Sequence, residues 1–141
     1  MKLQLITLDG LKVDDEVYEV VLPTADGEIA VFPGHQPLVT LAIPGVVSVR
    51  HKKTDTDSQV QMFATNGGVV EINPEQLRVI VDEADAAEEI LESEAREALD
   101  RAHRMKAEAK NQVDINEAQA LIARHSVRLK VASLHARRRH H

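Results

Sequence analysis

Cysteine and tryptophan are both absent from this 141-residue chain. Without cysteine there is no disulfide framework, no thiol nucleophile and no cysteine-ligated zinc site. Aromatic residues are scarce, limited to Tyr18, Phe32 and Phe63, so a base-stacking platform for single-stranded nucleic acid is not expected. No apolar run approaches the roughly 18–20 residues that a membrane span requires. The segment Met1–Asp9 lacks the basic stretch and cleavage site of a secretory signal. The expectation is a soluble chain, or one held at a membrane through other proteins, with no insertion of its own. Glycine and proline disappear after residue 83: all 6 glycines and all 5 prolines come earlier. That single asymmetry divides the chain into two parts.

Catalytic signatures are missing as well. None of the five serines occupies a G-x-S-x-G elbow. Gly67-Gly68 is not followed by the Lys-Ser/Thr of a phosphate loop, and reads instead as a hairpin turn. The seven histidines (His35, His51, His103, His125, His135, His140 and His141) show no H-E-x-x-H spacing. Glu88, Glu89, Glu92, Glu94 and Glu97 crowd one segment but read as a solvated helix face. An independent enzyme or a metal site is therefore not expected.

What is present is apolar and charged: 43% hydrophobic and 28% charged residues, enough for a packed core built from Val, Ile, Leu and Ala. Residues 1–84 read as short strands between Gly/Pro turns. Met1–Leu8 alternates, with Leu3, Leu5 and Leu8 facing inward. Val13–Leu22, Glu28–Phe32, Leu38–Ile43, Val46–His51, Val60–Thr65, Val69–Ile72 and Leu77–Val81 follow. Asp26-Gly27, Pro44-Gly45 and Asn66-Gly67-Gly68 serve as turns between them. This pattern predicts an all-β sandwich or barrel of about eight to ten antiparallel strands.

From residue 85 the Ala-, Glu- and Arg-rich composition predicts an antiparallel α-helical hairpin over 85–136. Asp85 with Glu88 forms a capping-box pattern that starts one helix at about Ala86, running to about Asn111. Asp114 with Glu117 starts the second at Ile115. The facing stripes are Leu91, Ala95, Ala98, Ala102, Met105 and Ala109, and Ile115, Ala118, Ile122, His125, Leu129 and Ala132. They are largely alanine. Each methylene forgone relative to leucine gives up roughly 0.8 kcal/mol of burial, so the hairpin is expected to fold against itself through a weak interface and also to come apart. Residues 137–141 form a basic Arg/His tail, native or the remnant of a tag.

Charge is distributed unevenly. Residues 1–84 hold 6 Lys/Arg against 13 Asp/Glu, whereas residues 114–141 hold 6 against 2. A basic end on an acidic body points to an acidic protein surface as partner. Nucleic acid is not expected, because the body would repel it.

One segment carries a family resemblance. Gly27-Glu28-Ile29-Ala30-Val31-Phe32-Pro33-Gly34-His35-Gln36-Pro37-Leu38-Val39-Thr40 resembles the stretch of F-type ATP synthase epsilon subunits in which a short strand leads into P-G-H-x-P-L-x-T. Asn66-Gly67-Gly68-Val69-Val70-Glu71-Ile72 and Val79-Ile80-Val81-Asp82-Glu83-Ala84 are similar to two later strands of that family, and the hairpin matches its second domain in place and length. The resemblance implies a non-catalytic rotor subunit of the central stalk, peripheral to the cytoplasmic face of a bacterial inner membrane. Its partners would be the gamma subunit, the c-ring and the catalytic alpha and beta subunits. It places Glu28, Gly34, His35, Gln36 and Pro37 near gamma and the c-ring. It makes the hairpin an arm that inhibits ATP hydrolysis, with Arg124, Arg128 and Lys130 as the contacts to the catalytic subunits.

Some members bind ATP through I/L-D-x-x-R-A. Here that stretch is Ile90-Leu91-Glu92-Ser93-Glu94-Ala95, with Leu91 at the aspartate position and Glu94 at the arginine position. Arg101, Arg124 and Arg128 match the family's other ligand arginines, but the anion at position 94 predicts weak or absent ATP binding and no other cofactor. The alternative reading is an adaptor or chaperone-like module with a helical arm. The hairpin tip, Lys110-Asn111-Gln112-Val113-Asp114, is mostly polar, unlike the apolar tip expected of a client-binding arm.

Overall fold

The computed structural model describes residues 1–139; His140 and His141 of the expected tail lie outside the described residues. Eight strands form the N-terminal part: β1 (Lys2–Thr7), β2 (Gly10–Glu16), β3 (Glu19–Thr24), β4 (Gly27–Val31), β5 (Leu38–Arg50), β6 (Gln61–Ile72), β7 (Gln76–Val81) and β8 (Ala84–Ala86). Their order is β2-β1-β7-β6-β5-β3-β4, with β8 pairing onto β6. Two helices follow, α1 (Glu92–Glu108) and α2 (Gln112–Arg139). No described helix is long and apolar enough to cross a membrane.

The expected strand Val13–Leu22 is two strands on opposite flanks of the sheet. The chain crosses at Val17-Tyr18, where the Val17 amide donates to the Met1 carbonyl (2.8 Å) and the Tyr18 amide to the Arg50 carbonyl (2.9 Å). Two expected turns are bends inside long strands. Pro44-Gly45 lies within β5 and Asn66-Gly67-Gly68 within β6, and the bends face one another, Pro44 opposite Asn66 and Gly45 opposite Thr65. Because both strands break at the same level, the ladder continues through the corner and each strand serves both layers of the sandwich. Gly67 takes a φ of 94° there, a conformation that costs other residues about 1–2 kcal/mol. The buried Thr65 hydroxyl donates to the Gly45 carbonyl (3.1 Å) across the bend.

The core lies between the layers. Leu3, Leu77 and Ile72 are cross-strand neighbours on β1, β7 and β6, as are Leu5, Val79 and Val70. They face Val20, Leu22, Val31, Val47 and Val49 in one buried cluster. Leu8 departs from expectation: it is 81% exposed, because β1 ends at Thr7 and the next two residues turn into β2. β1 also pairs with β7 in parallel, so the sheet is mixed.

The helices begin at different places from those the capping patterns predict. Asp85 belongs to β8, pairing Ala64, and is followed by one 3-10 turn, Ala87–Glu89. α1 therefore starts at Glu92, with Leu91 as a cap lacking a side-chain bond. At the second start Asn111 wins over Asp114. Its side-chain oxygen accepts from the Asp114 amide (2.9 Å), and its amide nitrogen donates to the Asp114 carboxylate (3.2 Å). The inter-helix link is thus Ala109–Asn111, earlier than the expected 111–113, and α2 continues through Arg139.

Ala95, Ala102, Ala118 and Ala132 are buried as the stripes predict, while Leu91 and Met105 stay exposed. α2 has a second face. Val131, fully buried, packs with Met62 and Ala64 of β6 and with Ala87 and Ile90. The hairpin is folded down on the sandwich.

Candidate functional site

Two surfaces stand out, one holding the helical arm and one bare. The arm is held by charge. Arg124 Nε donates to Glu83 Oε1 at 2.6 Å, and Arg128 Nη1 donates to Asp85 Oδ2. Both acids sit where β7 passes into β8, directly beneath the middle of α2. Further along α2, Ser133 donates to Glu92 of α1 (3.0 Å), and, nearly three turns past Arg128, Arg138 Nη1 donates to the Asp57 carbonyl (3.2 Å). Arg124 and Arg128 are therefore brought together but already paired within the chain. Lys130 is separate: it lies exposed in a different cleft, shared with Glu19, Glu28, Asp57 and Arg138.

Arg101 of α1 joins Arg124 and Arg128 around a cleft of about 250 Å³ that also receives Glu94, Glu97 and His125. The three arginines expected near a nucleotide do converge. Two are neutralised by sandwich carboxylates, and two glutamates share the cleft, which disfavours a polyphosphate. Nothing in the sequence identified Glu83 and Asp85 as the docking acids; the signal was the acidic run ending the last long strand.

Residues Gly34–Pro37 form an exposed loop. The Gly34 amide donates to the Pro74 carbonyl (3.0 Å), and the His35 amide to the Phe32 carbonyl (3.2 Å). His35 Nδ1 bonds the Gln36 carbonyl (2.7 Å), so its side chain is tied to its own loop. Glu28 lies at the other end of β4 from this loop and faces α2 across the Lys130 cleft. The expected contact group is therefore split: the loop is one unit and Glu28 is elsewhere.

The bare surface was missed from sequence. On the outer face of the layer, Ile6, Ile80, Val69 and Leu41 are successive cross-strand partners on β1, β7, β6 and β5. They form an apolar row that no described residue covers; Ile6, Val69 and Ile80 are half-buried, Leu41 is 64% exposed and Val39, beside the row, 72%. Ile80, Val69 and Leu41 of the row, with Leu8 and Ile43, line an open groove of about 640 Å³. Exposed apolar area of this continuity marks an interaction site. Its sequence signal was Ile80, which breaks the alternation of Val79 and Val81 by being apolar on the outward side.

Comparison with known proteins agrees with this layout. The family described as "ATP synthase, Delta/Epsilon chain, beta-sandwich domain" matches residues 1–87. The chain is 33% identical over 132 residues to the ATP synthase epsilon chain of Moorella thermoacetica, covering 94% of this chain and 96% of that one. It is 31% identical over 133 residues to that of Chloroflexus aggregans, covering 94% and 92%. Among solved structures, a chain of the Euglena gracilis mitochondrial ATP synthase (OSCP/F1/c-ring) superposes with a TM-score of 0.78 at 23% identity, over 94% of this chain and 80% of that one. A chain of the Tetrahymena thermophila central stalk and c-ring gives 0.59 at 14% identity, over 94% and 96%.

Proposed function

This chain belongs to the ATP synthase epsilon-chain family, and from that premise we propose that it is the rotor subunit whose sandwich binds gamma and the c-ring while its helical arm restrains ATP hydrolysis. It is a subunit of the synthase and not an enzyme in its own right. The observation that carries the binding role is the uncovered row Ile6–Ile80–Val69–Leu41. An outer sheet face meant for water would alternate to polar residues at these positions. The exposed Gly34–Pro37 loop extends the same subunit contact. The site of assembly is the cytoplasmic face of a bacterial membrane, in keeping with the bacterial relatives.

A charge on the row tests this. Leu41→Asp lies on a half-open surface, so folding is expected to be retained. Affinity for a gamma-containing complex is expected to fall about 10- to 100-fold, through desolvation of the new carboxylate. Unchanged affinity by surface plasmon resonance would remove the row from the interface.

The arm supplies the regulatory half of the proposal. Arg124 and Arg128 face acids in the docked state. The same guanidinium groups, with Lys130, would face acidic segments of the catalytic subunits once the arm is released, so the two arrangements compete for the same cations. Hydrolysis by the cognate catalytic head with gamma is expected to fall when the full chain is added. It should not fall with a chain shortened after Ala86, nor with the triple variant Arg124→Gln, Arg128→Gln, Lys130→Gln. The triple variant frees its arm from Glu83 and Asp85, so undiminished inhibition would refute the contact assignment rather than reflect a trapped arm. ATP binding in the arginine cleft is proposed to be weak or absent, for the reason that Glu94 and Glu97 line it.

A further inference from the structure

His125 sits between the two docking arginines in sequence, and its ring enters the cleft between α1 and α2. Its Nδ1 is shut off from solvent and has no hydrogen-bond partner among the described residues. The charged groups around it come from every neighbouring element. Arg101, Glu94 and Glu97 come from α1, and Arg124 and Arg128 from α2 itself. Glu83 comes from the link before β8 and Asp85 from β8, each engaged by an arginine.

A proton on Nδ1 would therefore create an imidazolium without an acceptor, enclosed among three guanidinium groups. Burial lowers the ring's pKa below its ordinary 6.5, and the charges of Arg124, Arg128 and Arg101 lower it further, against a smaller opposing effect of Glu83. Once α1 and α2 part, the undocked arm exposes the ring to water and carries no such penalty, because the cleft is lined by those two helices alone.

We propose that His125 is a proton-operated release for the helical arm: protonating its ring in the Arg101–Arg124–Arg128 cleft drives α1 and α2 apart and so frees the hairpin from its folded position. The sign follows from linkage. A histidine whose pKa is depressed in the docked state leaves docking at full strength above about 6.5. Docking then weakens as pH falls through that value, because the undocked arm takes up the proton. The loss levels off once the docked ring is protonated as well. The two ties Arg124–Glu83 and Arg128–Asp85 hang from the same turns of α2, so the added charge acts where the arm is held. The device requires nothing from the assembled synthase and is independent of the rotor reading.

Hydrogen exchange of the intact chain at pH 7.5 and 5.5, corrected for intrinsic rates, tests the release. This window lies above the ordinary carboxylate range. Opening of α1 and α2 amides is expected to rise at least about threefold at the lower pH, since each unit of pKa depression gives up to tenfold. In His125→Gln it should stay constant. A wild-type arm with no pH response, or a His125→Gln arm that keeps it, overturns the proposal. Should the glutamine variant be undocked at both pH values, NMR titration of the wild-type His125 ring decides. A midpoint below 6.5 supports the release, and one at or above 6.5 overturns it.

Discussion

Alanine at position 68 is expected to cost at least about 3 kcal/mol of stability, more than any other single methyl group added to the sandwich. A Cβ there would stand 2.0 Å from the Ile80 carbonyl oxygen, 2.9 Å from its carbon and 3.0 Å from Val81 Cα. All three are backbone atoms of β7, hydrogen-bonded into the ladder opposite Gly68, and no rotamer change can move them aside. Gly67→Ala is the informative control. Its cost comes from the positive φ and a Cβ 3.0 Å from the Ala42 carbonyl, so about 1–2 kcal/mol is expected. Urea unfolding of both variants checks the order. Gly68→Ala within 1 kcal/mol of the parent would mean that β6 and β7 can separate without loss, against the whole account of the corner.

Val131→Asp is expected to undock the arm at least 100-fold while leaving the sandwich folded. Val131 is 0% exposed, packed among Met62, Ala64, Ala87 and Ile90. Burying an unpaired carboxylate costs several kcal/mol. The chain can avoid that cost by releasing the hairpin, because the surface it would give up is one small cluster separate from the main core. The sandwich keeps its own separate cluster, from Leu3 to Ala84, which contains no residue of α1 or α2. Hydrogen exchange should then show loss of protection confined to residues 92–139. Uniform loss across β1–β7 would show instead that arm and sandwich form one cooperative unit, and an unchanged arm would show a docking interface far stronger than its composition allows.

These expectations bear on regulation. In the proposed mechanism an arm held by two ion pairs and one small apolar cluster around Val131 has a folded position and can also leave it. If the same arginines serve both positions, as proposed above, strengthening the docked pairs should weaken inhibition, and weakening them without removing the arginines should strengthen it.

Composition and local pattern alone decided the division into a strand-rich and a helical part. The absence of glycine and proline after residue 83 permits long helices, and their density before it forces short strands. The alanine stripes, likewise, are local: Ala95, Ala102, Ala118 and Ala132 recur at helical spacing whatever they pack against. The P-G-H-x-P-L run was legible because a loop motif is contiguous in the chain.

Tertiary structure decided the rest, wherever a residue's role depends on a partner far away in sequence. Pro44-Gly45 and Asn66-Gly67-Gly68 look like turns one at a time and become sandwich corners only because they face each other across two strands. Asp85 has the pattern of a helix cap, yet pairing of β8 with β6 and the reach of Arg128 claim it first. The row Ile6–Ile80–Val69–Leu41 comes from four strands, and no window of sequence contains it. Nor could spacing reveal that Arg124 and Arg128 are occupied by Glu83 and Asp85, since ion pairing depends on distance in space and these partners are 41 and 43 residues apart.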